Sequence, residues 1–548
     1  MYTLGLDFGT LSGRAVLVDA RNGDEIAESV FDYPHAVMDM AMPSGRRLPP
    51  DWALQHPQDY LDVFAHTVPA ILRESGVDPA DVKGIAIDFT ASSPMPTTRD
   101  GRPLCFLDEF KDEPHAYIKL WKHHAAQRQA DQINETAREM GESWLARYGG
   151  KISSEWFFSK LLQILQERPD IYARIDRFIE AADWVIWQLT GVETRNTCTA
   201  GYKAMVQDGD FPSRAYFKAL DPAFENVVDE MVGREFAQLG SKAGELKPAM
   251  AEMMGLPAGI AVAVANVDAH VSAPAVKATE PGVMVLVMGT SCCHILSAAE
   301  LGEVDGMCGV VMGGVIPGLY GYEAGQSGVG DIFAWFVDHG LPPEYHRAAA
   351  AAGLNLHEHL EREAARQKVG EHGLIALDWW NGNRSTLVDV DLTGLLLGMN
   401  LATRAPDIYR ALIEATAFGT REIIEAFEAQ GIEVKELVAA GGLPEKNALL
   451  RQIYADVTGR TFKLSGSAQA PALGSAMHAA VAAGIYPDIQ AAADKMGKLK
   501  DEVVTPNRQN QALYDKLYAE YRTLYDYFGR GTNDVMKRLK AIKHEALG

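Results

Sequence analysis

The sequence predicts an α/β protein with two related lobes, and three observations lead to this prediction. Residues 2–19 read as two β-rich runs around a glycine turn. A second strand–turn–strand pattern lies halfway along the chain, where residues 283–288 precede Gly289-Thr290-Ser291. The chain has 548 residues, which is too long for a single core. Two similar hairpins half a chain apart therefore indicate duplicated lobes.

The first glycine turn carries groups suited to phosphate and metal binding. Gly9 and Gly13 allow backbone N–H groups to approach an anion, and Thr10 adds a hydroxyl donor. Asp7 ends the first strand, where a carboxylate can hold hydrated magnesium. Taken alone, the turn fits an ordinary hairpin tip equally well.

Composition limits the classes of partner and the compartment. Apolar residues make up 47% of the chain and charged residues 23%, as in ordinary globular proteins. A net charge of -22 argues against nucleic acid and anionic membranes, so a nucleotide would depend on local donors and magnesium. Five cysteines indicate a reducing compartment, and the chain shows no leader or apolar run of roughly 18 residues. We expect a cytoplasmic protein.

Two buried strands end in polar residues. Residues 84–89 run into Thr90-Ala91-Ser92, beyond the carboxyl end of a strand, where α/β sheets bind ligands. A simple capped loop is the favoured interpretation of that turn. Residues 259–265 precede Asp268, and its carboxylate could act as a base at a cleft mouth. A helix-capping role for Asp268 is equally compatible with the residue type.

Several other stretches carry polar candidates. Residues 116–129 are predicted to form one helix bearing Trp121, His123 and His124; adjacent histidines on different helix faces argue against a shared metal site. Lys203 is a lone lysine, ordinarily a solvated charge. The glycine-rich residues 320–331 contain Glu323, which suits a sugar hydroxyl better than a phosphate.

Together these segments resemble the FGGY family of carbohydrate kinases, which has the actin-like ATPase (ribonuclease H-like) fold. The resemblance covers nearly the whole chain. It rests on both hairpins and on residues 394–399, 407–408, 411–414, 440–442 and 472–476.

Within the family, the likeness is to members that phosphorylate L-ribulose. It rests on residues 120–124, 153–157, 323–327 and 377–382. One departure stands out: many relatives carry Asp-Gln-Arg near the Trp121 position, whereas this chain has Lys-His-His.

The resemblance implies ATP-dependent phosphorylation of L-ribulose at its terminal 5-hydroxyl, a step of L-arabinose catabolism. It implies lobes at residues 1–275, for the sugar and the base, and 276–548, for ATP, with a nucleotide and sugar cleft between them. A homodimer is compatible with it. The implied site residues are Asp268 as the catalytic base, Asp7 for Mg²⁺, Ala91, Lys203, Asp268 and Glu323 for the sugar, Thr10, Arg14, Gly289, Thr290 and Gly330 for the phosphates, and Gly441, Gly442 and Asn447 for adenosine.

Other functions are compatible with parts of the sequence. Another pentulose or polyol kinase, such as one acting on xylulose, would keep the fold and Asp268 and change only the sugar contacts. An actin-like or chaperone-like nucleotide switch would bind protein rather than sugar. Asp268 after a buried strand and Glu323 in a glycine span fit a small polar pocket better than a partner surface. An inactive sugar-binding regulator fits poorly with an intact Asp268 and two phosphate hairpins.

Overall fold

The computed structural model describes residues 1–547, and the chain folds into two compact units. The first unit comprises Met1–Thr279, Gly309–Gly321 and Gln469–Lys498. The second comprises Glu280–Cys308, Tyr322–Ala468 and the residues from Leu499 onward. Within residues 1–547, no helix combines the length and apolar character that crossing a membrane requires.

The strands are short, as is usual in α/β proteins. They are β1 Tyr2–Phe8, β2 Ser12–Asp19, β3 Asp24–Asp32, β4 Leu54–Gln55, β5 Val82–Phe89, β6 Pro94–Thr97, β7 Ile118–Lys119, β8 Arg177–Glu180, β9 Lys242–Glu245, β10 Ala261–Ala263, β11 Asn266–Val267, β12 Val283–Met288, β13 Cys292–Ala298, β14 Gly309–Met312, β15 Tyr320–Gln326, β16 Ile375–Leu377, β17 Leu395–Leu397, β18 Glu436–Ala440, β19 Thr461–Ser465 and β20 Leu499–Val504.

The α-helices vary from one turn to seven. They are α1 Pro57–Ser75, α2 Gln127–Met140, α3 Phe157–Glu167, α4 Pro169–Tyr172, α5 Ala181–Thr190, α6 Thr197–Lys203, α7 Arg214–Leu220, α8 Pro248–Met254, α9 Asp268–Ala275, α10 Gly330–His339, α11 Pro343–Ala351, α12 Leu356–Ala364, α13 Ala405–Ala429, α14 Gly442–Lys446, α15 Ala448–Thr458, α16 Ala470–Ala482, α17 Ile489–Met496, α18 Arg508–Gly529 and α19 Val535–Leu547.

The two units share one sheet topology. In the first unit the strand order is β3-β2-β1-β5-β10-β9, and β11 also pairs with β5. In the second unit the order is β15-β13-β12-β18-β19-β20. Each sheet has an antiparallel hairpin, β1/β2 or β12/β13, whose first strand pairs in parallel with the next, β5 or β18. The structure confirms the predicted α/β fold with two related lobes.

The two faces of the first sheet differ because side chains alternate along each strand. Leu4, Leu6 and Phe8 belong to the large apolar core that also contains residues of α1. On the opposite face lies Gly5, where a Cβ would come within 1.8 Å of the Ala472 carbonyl oxygen on α16. Asp7 and Asp88 share the parity of this second face. The small residues of α16 thus lie beside the polar ends of β1 and β5.

The predicted helix over residues 116–129 is wrong. Residues 118–119 form β7, which pairs with β4, and α2 begins only at Gln127. The Leu120 N–H donates to the Ala53 carbonyl at 2.9 Å, and the His124 N–H donates to the Asp51 carbonyl at 2.9 Å. Because these groups bond to a distant segment, they cannot make intrahelical bonds. Periodicity along one segment does not reveal such a partner.

Candidate functional site

Three carboxylates lie at the carboxyl ends of neighbouring parallel strands in the first unit. Asp7 on β1 and Asp88 on β5 are direct register partners. Asn266 of β11 is the partner of Asp88 on its other side, and Asp268 follows two residues later as the first residue of α9. Because parallel strands end at one edge of a sheet, this arrangement gathers the acidic groups there.

Burial and mutual repulsion shape the acidic pair. Burial raises the pKa of Asp7, against the opposing effects of Asp88 hydrogen bonding and the Arg14 charge. Burial, followed by the charge of Asp7, raises the pKa of Asp88 well above its usual range. Asp88 also accepts a hydrogen bond from the Ser475 hydroxyl at 2.6 Å. Arg14 is the cross-strand neighbour of Asp7, and its guanidinium donates to the side chain of Gln469.

This donor set fits a hard divalent cation. The Oδ1 atom of Asp88 is buried and has no hydrogen-bond partner within residues 1–547. Magnesium prefers carboxylate and water oxygens, and a cation beside Asp7 and Asp88 would offset their repulsion. The residues present therefore fit Mg²⁺.

Asp268 is half-buried at the start of α9. Its Oδ1 atom accepts a hydrogen bond from the following Ala269 N–H at 2.6 Å. The N-cap position belongs to Val267, which makes no side-chain capping bond. Helix α9 is fixed against α16, since a Cβ on Gly474 would lie 1.9 Å from the Val271 carbonyl oxygen. The carboxylate of Asp268 is thus held by well-packed elements.

Side chains from other segments of the chain fix the first glycine turn. The Trp121 Nε1–H donates to the Thr10 hydroxyl at 3.0 Å, and the Gln55 side chain donates to the Thr10 carbonyl at 2.8 Å. Gly13 has a packing role, because a Cβ there would lie 2.4 Å from a methyl carbon of Val63. Gly9 closes the turn, with its N–H donating to the Ser12 carbonyl at 3.0 Å.

Ala91 and Lys203, two residues of the first unit expected to contact the sugar, are both partly or fully buried. Ala91 is half-buried in the turn after β5. Lys203 ends α6 and is only 4% exposed, which is unusual for a lone lysine. Its Nζ lies 5.5 Å from the centre of a Trp156 ring, and its charge lowers the pKa of Lys160. Lys203 is therefore a buried group and not a solvated surface charge.

In the second unit, the echo hairpin (β12 and β13, which repeat the β1/β2 pattern) contacts the start of helix α10. The Gly330 N–H donates to the Gly289 carbonyl at 3.1 Å, and the Asp331 N–H donates to the Thr290 carbonyl at 3.2 Å. A Cβ on Gly330 would lie 2.5 Å from the Gly289 oxygen. The structure thus brings Gly289, Thr290 and Gly330 together at the N-terminus of α10, the end of a helix that favours anions.

The double glycine follows β18 and borders a pocket. Gly441 has a φ of 112° and lies so close to β12 that a Cβ would meet the Met288 oxygen at 2.2 Å. The pocket is lined by Gly441, Gly442, Glu445, Ser465 and Ser467, among others. Asn447 is buried and caps α15, where its side chain accepts from the Leu450 N–H at 2.8 Å.

Glu323 is buried on β15 and forms an ion pair with Arg384. The Arg384 Nε atom also donates to the Cys308 sulfur at 3.1 Å. The guanidinium fixes the direction of the Glu323 carboxylate.

Sequence reasoning assigned no role to Asp88, Ser475 or Arg384. A signal existed for Asp88, which is the one ionisable residue in the apolar run of residues 84–89. Ser475 gave no signal, because its bond to Asp88 joins residues 387 positions apart.

The chain has the two-lobed fold of the actin-like ATPases. Two solved structures have the same fold. The xylulose kinase from Rhodospirillum rubrum matches with a TM-score of 0.78 at 21% identity, covering 96% of this chain and 98% of that one. A ligand-bound xylulose kinase from Lactobacillus acidophilus matches with a TM-score of 0.79 at 18% identity, covering 97% and 99%.

Family models identify the chain more narrowly. The N-terminal domain of the FGGY family of carbohydrate kinases matches residues 2–274, and the C-terminal domain matches residues 284–483. The chain belongs to this family. Two similar relatives are ribulokinases, from Halalkalibacterium halodurans (56% identity over 99% of this chain and 97% of the relative) and Geobacillus thermodenitrificans (56% over 100% and 98%). A ribulokinase from Mycolicibacterium smegmatis is 54% identical over 100% of this chain and 97% of its own length. As a carbohydrate kinase, the protein uses a sugar and ATP as substrates.

Proposed function

We propose that this enzyme transfers the γ-phosphoryl group of ATP to the 5-hydroxyl of L-ribulose, giving L-ribulose 5-phosphate and ADP in L-arabinose catabolism. The similarity to ribulokinases along nearly the whole chain carries the choice of sugar. The five described cysteines are all free thiols, which supports a reducing, cytoplasmic location.

Asp268 is the proposed general base. The sugar oxygen forms a bond to the γ-phosphorus, the bond from that phosphorus to the β,γ-bridging oxygen breaks, and ADP leaves. The hydroxyl proton passes to the Asp268 carboxylate as the new bond forms. Such positioned proton transfer contributes about 10²–10⁴-fold to rate. The half-buried position of Asp268, beside the ends of β5 and β11, is the observation that supports this role.

The remaining residues bind and orient the substrates. Ala91, Lys203 and Glu323 are the proposed sugar contacts, together with Asp268. Asp7, with Asp88 beside it, would hold Mg²⁺, which neutralises phosphate charge when bound. The proposed phosphate contacts are Thr10, Arg14, Gly289, Thr290 and Gly330, and the proposed adenosine contacts are Gly441, Gly442 and Asn447. The first unit accordingly supplies the base and the second supplies the adenosine pocket.

Replacing the base tests the mechanism directly. Asp268→Asn keeps the shape and the acceptor for the Ala269 N–H but cannot take a proton. We expect kcat for L-ribulose to fall by about 10²–10⁴-fold while calorimetry shows sugar binding retained. Asp170→Asn is the control, because Asp170 is an exposed carboxylate in the first turn of α4. Near-normal turnover of Asp268→Asn would refute the assignment.

A further inference from the structure

We propose that Lys160 is a positioning residue, which fixes the sugar-contacting turn at Ala91 against the segment that carries Trp121. The inference deepens the proposed function and rests on it. No sugar is expected to touch Lys160 itself, because its side chain is fully buried on α3.

The ammonium of Lys160 joins two loops of the first unit. Its Nζ atom donates to the carbonyl oxygens of Ser92 at 2.8 Å, Leu120 at 2.9 Å and Lys119 at 3.2 Å. An ammonium has three N–H donors, so all three are used. Ser92 directly follows Ala91, and Leu120 directly precedes Trp121. One buried group therefore sets the distance between the two loops.

A carboxylate holds the same turn from its other side. Glu180 accepts hydrogen bonds from the Ser92 hydroxyl and from the Ser93 N–H, the latter at 2.7 Å. The Ala181 N–H donates to the Ser93 carbonyl at 3.0 Å. The backbone at Ala91 is therefore fixed by Lys160 and Glu180 together, and not by its own short side chain.

The loop that carries Trp121 contacts the first glycine turn at Thr10. The Leu120 N–H is fixed to the Ala53 carbonyl, and the Trp121 indole donates to the Thr10 hydroxyl. Lys160 thus links Ala91 to Thr10 through a chain of directional bonds. Losing the link should misplace the sugar more than the nucleotide, because most of the proposed nucleotide contacts belong to the second unit. A misplacement of about 1 Å can cost about 10²-fold in rate.

The surroundings make this link sensitive to pH. Burial lowers the pKa of Lys160 to about 7; the charges of Glu180 and Glu155 oppose that shift, and the charge of Lys203 reinforces it. Lys119, the other buried lysine nearby, also carries a pKa lowered by burial to about 7. Below that pH the ammonium donates three bonds; above it, a neutral amine has two donors, and one carbonyl loses its partner.

Lys160→Met removes the donors and keeps the chain length. Lys119→Met is the matched control: Lys119 is equally buried, and its Nζ lies 4.1 Å from the centre of a Trp52 ring with no hydrogen-bond partner in the described chain. We expect Lys160→Met to lose thermal stability, because three buried carbonyl oxygens lose their donor, and Lys119→Met to keep or gain stability, because burial disfavours the ammonium of Lys119. Only Lys160→Met should raise the KM for L-ribulose, by about 10- to 100-fold, while the KM for ATP stays nearly constant.

The pH profile separates positioning from stability. In a series from about pH 6 to about pH 9, the wild-type KM for L-ribulose should increase once the pH exceeds the pKa of Lys160. That rise should persist in Lys119→Met and disappear in Lys160→Met. Equal KM changes in both variants would overturn the inference. If Lys160→Met does not fold, a flat sugar KM in wild type and Lys119→Met would overturn it as well. A wild type without ketopentose turnover would instead refute the proposed function, and this role with it.

Discussion

Asp88 is a residue whose buried carboxylate lowers the stability of the fold but suits a cation-binding site. Its carboxylate is fully buried beside Asp7 on the next strand, and it accepts a hydrogen bond from Ser475. Placing two carboxylates together in a protein interior is unfavourable, because each resists ionisation of the other. A binding site for a cation accounts for an arrangement that packing alone would not favour.

Removing that charge should therefore stabilise the protein. For a carboxyl whose folded pKa is raised, stability falls as pH rises from the unfolded pKa towards the folded one. Asp88→Asn keeps an acceptor for Ser475 and should raise Tm at neutral pH, by about 2 °C for each kcal/mol regained. The gain should shrink as the pH falls towards the unfolded value of 3.8 and vanish below about pH 3, where this carboxyl is neutral in both the folded and the unfolded protein. Thermal unfolding without magnesium, across this pH range, measures it.

Asp183→Asn tests the same rule at a second buried carboxylate. Asp183 is also buried, and it accepts bonds from the Asn196 backbone N–H at 3.1 Å and side-chain amide at 2.8 Å. Both donors bond to the same oxygen, Oδ1, which an amide also offers, and burial raises the pKa of Asp183 to about 7, so this variant should likewise raise Tm at neutral pH. A lower Tm of Asp88→Asn at neutral pH would mean that burial does not dominate the energetics of Asp88.

At the scale of elements, hairpins and buried strands could be predicted well from sequence. Apolar, β-rich runs and glycine turns are local signals, and they indicated both hairpins and the strands before Ala91 and Asp268. The segment around Trp121 could not be predicted, because its backbone bonds to residues 51–54, far away in sequence. The contact between Trp121 and Thr10 depends on that same long-range pairing.

The junction between α10 and the echo hairpin carries a prediction of its own. Gly330→Ala would force a Cβ against the Gly289 oxygen, and overpacking of this kind costs about 1–3 kcal/mol. The start of α10 should shift, so the KM for ATP should rise by about tenfold or more while the KM for sugar changes little. Steady-state kinetics with each substrate varied in turn gives both constants.

Gly328→Ala is the matched control, two residues away. A Cβ there would meet an Ile332 side-chain carbon at 3.4 Å, an ordinary contact. Its KM for ATP should stay at the wild-type value. A wild-type KM for ATP in Gly330→Ala would mean that this junction does not hold the nucleotide.

At the scale of the whole molecule, the sequence shows that the lobe is duplicated, but it does not show which segments of the chain belong to which unit. The repeated hairpin predicts two lobes, and the two sheets share their strand order. Residues 469–498 belong to the first unit because Ala472, Gly474 and Ser475 of α16 meet β1, α9 and Asp88 there. Small residues fit many helix surfaces, so the sequence does not say which surface α16 covers. The predicted boundary near residue 275 stays a prediction.

The most direct test of the central claim is magnesium- and ATP-dependent ADP release by the wild-type enzyme. L-Ribulose, D-ribulose, D-xylulose and glycerol would be compared in one coupled assay. We predict the highest kcat/KM with L-ribulose, because the chain resembles ribulokinases along nearly its whole length. Turnover confined to D-xylulose or glycerol would contradict the proposed substrate, and an absence of turnover with every sugar would contradict the proposed function itself.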